Sequence, residues 1–202
     1  MRTVLFTQRV EVVEAYGERR DAADQRVADF IYVCGFLPTP LPNDPGKAEQ
    51  IFYVVNPVGI ILTGGNSLVK YGGNAPERDG TDKVLLELAV KKGVPLYGFC
   101  RGMQSILDYF GNELVEVKEH VAVRHKVAGA EDSQEVNSYH NQGCLDIVSA
   151  ELEALLKTAD GVIEKIRHRK LPILGTMWHP EREMPFRETD MAMVRELFGG
   201  NG

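Results

Sequence analysis

This sequence predicts an α/β fold: an open, mostly parallel sheet with helices on both faces. Three observations carry that prediction. Strand and helix signals alternate along the chain, which implies a sheet covered on both sides. Gly59-Ile60-Ile61-Leu62-Thr63 reads as a fully buried strand that ends in Gly64-Gly65. An apolar stretch, Val94-Pro95-Leu96-Tyr97, runs into Gly98-Phe99-Cys100-Arg101-Gly102 and then into Met103, Ile106, Leu107 and Phe110 at helical spacing. Ligands of such sheets bind at the carboxyl ends of strands, where Gly64-Gly65 and Cys100 both fall.

The elements follow in order. Thr3-Val4-Leu5-Phe6 is the first strand, and a helix is expected from about Asp21 to Cys34. Pro38, Pro40, Pro42 and Pro45 suggest a rigid, extended connector. Ala48, Ile51, Phe52 and Val55 suggest a short helix. A polar loop of about fifteen residues follows Gly65, long enough to suggest function. Thr81 is the expected N-cap of a helix carrying Val84, Leu85 and Leu88, which stops at Lys91-Lys92-Gly93. Residues 113–148 mix short β-like pieces with polar loops. Leu152, Leu155 and Leu156 mark another helix, and two neighbouring strands are expected over Gly161–Arg169 and Leu171–Trp178. Met191, Val194, Leu197 and Phe198 mark a terminal helix, and the Gly199–Gly202 tail is expected to fray.

The 202 residues suit one domain spanning 1–202, and 44% hydrophobic with 26% charged residues is an ordinary globular composition. The net charge is −6 and the basic residues are dispersed, which argues against nucleic acid and membrane surfaces as partners. Met1-Arg2-Thr3-Val4 lacks the regions of a signal peptide, so a cytoplasmic location is expected. The odd, scattered set Cys34, Cys100 and Cys144 argues against a disulfide framework. Cys34 and Cys144 read as packing residues.

Cys100 is different. A cysteine at a sharp strand-to-helix turn, with glycines two before and two after, is the cysteine form of a nucleophile elbow. The helix N-terminus beside it favours the thiolate, which is built to attack a carbonyl carbon. Such a nucleophile needs a base and an orienting group. Trp178-His179-Pro180-Glu181, after an apolar strand, supplies both. Glu181 can turn back to accept a hydrogen bond from the His179 imidazole and fix its tautomer.

Gly-x-Cys-Arg-Gly-x-Gln (Gly98 to Gln104) together with His-Pro-Glu (179–181) resembles the signature of class I glutamine amidotransferases and the related γ-glutamyl hydrolases. The resemblance spans Gly59 to Glu181 and implies a flavodoxin-like sheet. It also implies attack of Cys100 on a γ-glutamyl amide, a γ-glutamyl thioester, and His179 as the proton carrier. No cofactor and no metal are implied. The oxyanion donors would be the Arg101 N–H and a second N–H from Gly64-Gly65, with Gly65 favoured. Many relatives have a third glycine where this chain has Asn66.

Asn137-Ser138-Tyr139-His140-Asn141-Gln142 resembles a segment of the γ-glutamyl peptide and γ-glutamyl-aminobutyrate hydrolase branch. By that resemblance Asn137, Ser138, Tyr139 and His140 would hold the glutamyl headgroup, with Gln104 and Gly64 beside them. The Arg101 side chain, His120, Arg124 and His125 are expected to form a basic cluster for an anionic leaving group. His120 and His125 are expected to lack partners for a metal site. Thr7-Gln8-Arg9 and Gly17-Glu18-Arg19-Arg20-Asp21 resemble the offshoot that hydrolyses γ-glutamyl-CDP-amidate in capsule phosphoramidate synthesis.

The alternatives are a glutaminase subunit that hands ammonia to a separate synthase partner, and a non-catalytic binding module. A cysteine-protease-like enzyme of the related chaperone group fits less well, because that group lacks His-Pro-Glu after its last core strand. A synthase partner or a homo-oligomer is compatible with the sequence.

Overall fold

A computed structural model describes residues 1–130 and 133–199. The first half alternates: β1 (Arg2–Phe6), a hairpin of β2 (Arg9–Val13) and β3 (Glu18–Ala22), α1 (Gln25–Val33), β4 (Phe36–Pro40), α2 (Pro45–Val55) and β5 (Gly59–Leu62). Then come α3 (Pro76–Lys92), β6 (Leu96–Phe99) and α4 (Arg101–Tyr109). The second half is strand-rich: β7 (Val115–Glu116), β8 (Val121–Ala128), β9 (Ser133–Tyr139), β10 (Gln142–Gly143), β11 (Leu152–Lys157), β12 (Ile163–His168) and β13 (Ile173–Thr176), closed by α5 (Glu188–Leu197).

A nine-stranded sheet has the order β4-β1-β5-β6-β13-β12-β11-β8-β9. From β4 to β13 the strands run parallel. From β13 outward they are antiparallel, a wing the sequence reading did not resolve. Helices cover both faces of the parallel part. Phe52, Leu85, Leu88, Met103 and Ile106 fill one side, and Val27, Phe30, Ile31, Val194 and Phe198 the other. Because β5, β6 and β13 are neighbours pointing the same way, their carboxyl ends meet at one rim.

Four expectations are corrected. The first helix starts later than Asp21: residues Glu18–Ala22 pair with β2, and Asp24 caps α1 through a bond from the Arg26 N–H. The proline-rich stretch is partly a strand, not only a connector. Pro38 and Pro40 lie in edge strand β4, where a missing N–H leaves no inner ladder bond broken.

α3 starts at Pro76, five residues before the expected cap. Thr81 is inside it, its hydroxyl donating to the Glu77 carbonyl. Leu152, Leu155 and Leu156 are in a strand, not a helix. β11 carries a bulge at Leu155 that breaks the period of two, so Leu152 packs in the main core and Leu156, four residues on, in a separate cluster with Val127, Val136 and Trp178. The terminal helix ends at Leu197, and the tail beyond Gly199, expected to fray, lies outside the described residues.

Candidate active site

The elbow forms as its glycines require. A Cβ on Gly98 would lie 2.6 Å from the Gly102 carbonyl carbon, and one on Gly102 would lie 1.9 Å from the Leu62 oxygen. Only bare backbone fits where the two arms cross. Between them Cys100 takes φ 51° and ψ −113°, a strained conformation for a residue with a Cβ. Its N–H donates to the Thr176 carbonyl at 2.8 Å, which ties the turn to β13.

Past the end of β13 lies His179. Its Nδ1 is 2.7 Å from Glu181 Oε1, both side chains being buried. A carboxylate there requires the proton on Nδ1, which leaves Nε2 for the thiol. Asn137 fixes the backbone of His179 from two directions: its amide donates to the His179 carbonyl at 2.9 Å and its oxygen accepts from the His179 N–H at 2.9 Å. Arg26 of α1 donates to the carbonyls of Glu181 and Glu183 at 2.6 and 2.5 Å, pinning the turn that carries the carboxylate.

The electrostatics distinguish Cys100 from the other thiols. Burial works to raise it, but the His179 charge, a hydrogen bond to His179 and the Arg101 N–H outweigh burial and bring it below the ordinary thiol value. Burial works to lower His179, but the facing Cys100 thiolate and then Glu181 carry it up to about 9. Cys34 is pushed the other way, by burial, to about 12, and burial also raises Cys144.

The glycine loop after β5 completes the rim. A Cβ on Gly64 would sit 2.7 Å from His179 Cε1 and 3.5 Å from Cys100 Cβ, so position 64 must be bare. Arg78, fully buried on α3, donates to the carbonyls of Thr63, Gly64 and Gly65 at 2.7, 2.8 and 2.7 Å. With the Gly64 carbonyl turned to Arg78, the Gly65 N–H of the same planar peptide points the opposite way. Asn66 stands at φ 48°, a conformation asparagine tolerates better than most residues. Its amide holds both the N–H and the carbonyl of Val10, at 2.8 and 3.0 Å. A cleft of about 280 Å³ opens over Cys100, lined among others by Gln104, Tyr139, His140, Gln142 and Arg182.

The family model for class-I glutamine amidotransferases matches residues 20–198. The chain belongs to that family. Among curated relatives, the γ-glutamyl-CDP-amidate hydrolase of Campylobacter jejuni is 31% identical over 183 residues, covering 88% of this chain and 89% of that one. The γ-glutamyl-γ-aminobutyrate hydrolase of Escherichia coli O157:H7 is 28% identical over 226 residues, covering 91% and 86%. Among solved structures, a glutamine amidotransferase of Thermotoga maritima superposes with a TM-score of 0.65 at 16% identity, over 99% of this chain and 84% of that one. At that identity the superposition speaks for the fold alone.

In this amidotransferase-family chain the residues expected to act together are only partly brought together. Cys100, His179, Glu181, Gly64, Gly65 and the start of α4 at Arg101 share the rim. Gln104 reaches the cleft and donates to the Gln142 carbonyl at 3.0 Å. Tyr139 stands edge-on to His179, with the Arg182 guanidinium 4.2 Å above its ring. Asn137 and Ser138 are corrections. Asn137 is committed to His179 and Glu183, and the buried Ser138 hydroxyl donates to the His120 carbonyl at 2.7 Å. Neither lines the cleft.

The expected basic cluster does not form. The Arg101 side chain turns under the rim, into Asp82 and Asp79. Arg124 pairs with Glu135 and Glu183. His120 and His125, expected to lack partners, converge with His140 on the fully buried Glu164. The N-terminal arginines are likewise engaged by acids, Arg9 with Glu11, Arg19 with Glu77 and Arg20 with Glu18. Arg26, Arg78 and Glu164 are the residues sequence reasoning missed. Each is a charged side chain working through backbone or buried partners, a role no linear motif announces.

Proposed function

We propose that this chain is a cysteine-dependent hydrolase of γ-glutamyl amides, with Cys100, His179 and Glu181 as its catalytic triad. The observation that carries the reading is the meeting of a thiol lowered by its neighbours, at a strained elbow, with an imidazole held 2.7 Å from a buried carboxylate. The kinship with γ-glutamyl hydrolases supports the choice of bond.

The Cys100 thiolate attacks the γ-carbonyl carbon, and the carbonyl electrons move to oxygen. The N–H groups of Gly65 and Arg101 are the donors for that oxyanion. Such donors are worth most when preset in a site closed to water, and Arg78 presets the first of them. On collapse the C–N bond breaks, His179 gives its Nε2 proton to the departing nitrogen, and a γ-glutamyl thioester remains. The thiolate charge that held the His179 proton has then vanished into a neutral thioester. His179 loses the largest influence raising its pKa, so it becomes able to take a proton from water. Hydrolysis releases glutamate and restores the thiolate.

For the leaving group the reading favours an anion, as in the Campylobacter relative's γ-glutamyl-CDP-amidate. Arg182 and Arg9 stand at the rim beside Gly64 and His179; the exposed Arg9–Glu11 pair can open to an arriving phosphate, whose oxygens suit guanidinium forks. The test is intact-protein mass spectrometry after rapid mixing with γ-glutamyl-CDP-amidate, γ-glutamyl-γ-aminobutyrate or glutamine. The expected result is a glutamyl adduct on Cys100, formed fastest from the diphosphate compound, and none on Cys100→Ala. Turnover by Cys100→Ala would refute the covalent route. A preference for glutamine that appears only with an added synthase would favour the ammonia-donating subunit instead.

A further inference from the structure

Away from the thiol, three imidazoles surround one carboxylate oxygen. His140 Nε2, His125 Nε2 and His120 Nδ1 lie 3.2, 3.5 and 3.6 Å from Glu164 Oε1. Glu164 has no solvent exposure, and His120 and His140 are each 3% exposed. One donor atom each from His120, His140 and Glu164 falls within 4.8 Å of the others. His120 Nδ1, His125 Nε2 and Glu164 Oε2 are buried without a hydrogen-bond partner.

The outer ring nitrogens decide what the inner ones offer. His140 Nδ1 lies 3.1 Å from the Gln142 carbonyl, which can only accept, so that nitrogen carries the proton. His120 Nε2 lies 3.0 Å from Asp160 Oδ2, which again calls for a proton on the outer nitrogen. In their neutral forms both rings therefore aim bare lone pairs at a carboxylate oxygen, an arrangement that repels itself. Protonating all three rings would instead put three cations around one buried anion. A single divalent cation resolves both problems. It accepts every lone pair, and the outer carboxylate and carbonyl then serve as the orienting partners metal-bound histidines require.

The spacing agrees. With zinc–nitrogen and zinc–oxygen bonds of about 2.0–2.1 Å, neighbouring ligand atoms of a tetrahedron are about 3.3 Å apart. The three contacts to Oε1 lie near that value; His120, His140 and Glu164 already present donors within 4.8 Å of one another, and His125 Nε2, 3.5 Å from Oε1 but outside that group, has to move inward to complete the tetrahedron. We propose that His120, His125, His140 and Glu164 form a structural zinc site. Four protein ligands leave no open position, so the ion staples the start of β8, the end of β9 and β12 together. His140 is flanked by Tyr139, Asn141 and Gln142, which line the cleft, so the metal also fixes one cleft wall.

The experiment uses untagged full-length protein carrying Cys100→Ser, which removes the catalytic thiolate as a competing zinc ligand. Metal content is measured after purification, and the chelator-stripped protein is titrated with zinc chloride by calorimetry and thermal melting. About one zinc per chain is expected, with a rise in melting temperature on titration. Asp160→Asn should weaken binding 10–100-fold, the usual loss for an orienting partner. His125→Gln, at the most exposed ligand, should weaken it at least tenfold, and His120→Gln should abolish uptake. No uptake by the parent protein overturns the proposal. So does unchanged affinity in His125→Gln, which decides the matter even if His120→Gln fails to fold.

Discussion

Cys100 is a buried thiol that behaves as an acid because an imidazole faces it. The ion pair of thiolate and imidazolium forms as pH rises through the lowered value of Cys100 and disappears as pH rises through about 9, where His179 loses its proton. Hydrolysis should therefore be flat around neutrality and fall above about pH 9. Iodoacetamide at pH 7 should label Cys100 alone, with Cys34 and Cys144 reacting only after denaturation. An alkylation rate that climbs without a plateau through pH 9 would show that the thiolate is not preformed. Arg78 offers a second residue-level prediction. Arg78→Lys keeps charge but cannot span three carbonyls, so kcat should fall about 10²-fold, as for loss of one oxyanion donor. The Cys100 alkylation rate should not change, which separates a displaced loop from a damaged elbow. The elbow around Cys100 was legible in the sequence because a tight turn demands glycines at fixed offsets. Arg78 was not, because it works on backbone atoms that leave no mark in a sequence.

At the scale of elements, what could be read depended on whether burial followed a simple period. β5, β6 and α4 do follow one, and they stand where the sequence places them. α3 begins six residues before the helix expected after Thr81 because its first turns bury Arg78 and Asp82 rather than apolar side chains. Pro76-Glu77-Arg78-Asp79-Gly80 therefore looks like a loop until its partners, the glycine loop and Arg101, are known. β11 failed for the opposite reason. Its leucines have helical spacing and good helix propensity, but strand pairing overrides both and the bulge absorbs the extra residue. Gly129 packs on that bulge, where a Cβ would lie 2.0 Å from the Leu155 oxygen. Gly129→Ala should cost about 1–3 kcal/mol, the range for forcing extra atoms into packed space, read as a lower urea midpoint. An unchanged midpoint would mean the bulge gives way freely.

Over the whole molecule, the parallel half is the rigid part. β5 and β6 are buried along their whole length, whereas β8 and β9 form the exposed outer edge of the antiparallel wing. Amide exchange should be slowest in β5, β6 and β13 and fastest in the β2–β3 hairpin, whose ladder is separate from the main sheet. Comparable protection in the hairpin would contradict that ranking. Among the described residues no helix is long and apolar enough to cross a membrane. The hairpin meets the rim through Val10, clasped by Asn66, and through Arg9, which packs on Gly65. Arg19 also ties it to Glu77 and the Asn74 carbonyl, and Asp21 accepts from Asn43, whereas the Arg9–Glu11 and Arg20–Glu18 pairs lie within the ribbon, face solvent and contribute little. That makes residues 9–22 an exchangeable cassette. Swapping in a different ribbon, with the Asn66 clasps and the Arg19 and Asp21 anchors kept, would reshape the rim over the elbow while Cys100, His179 and Glu181 keep their places.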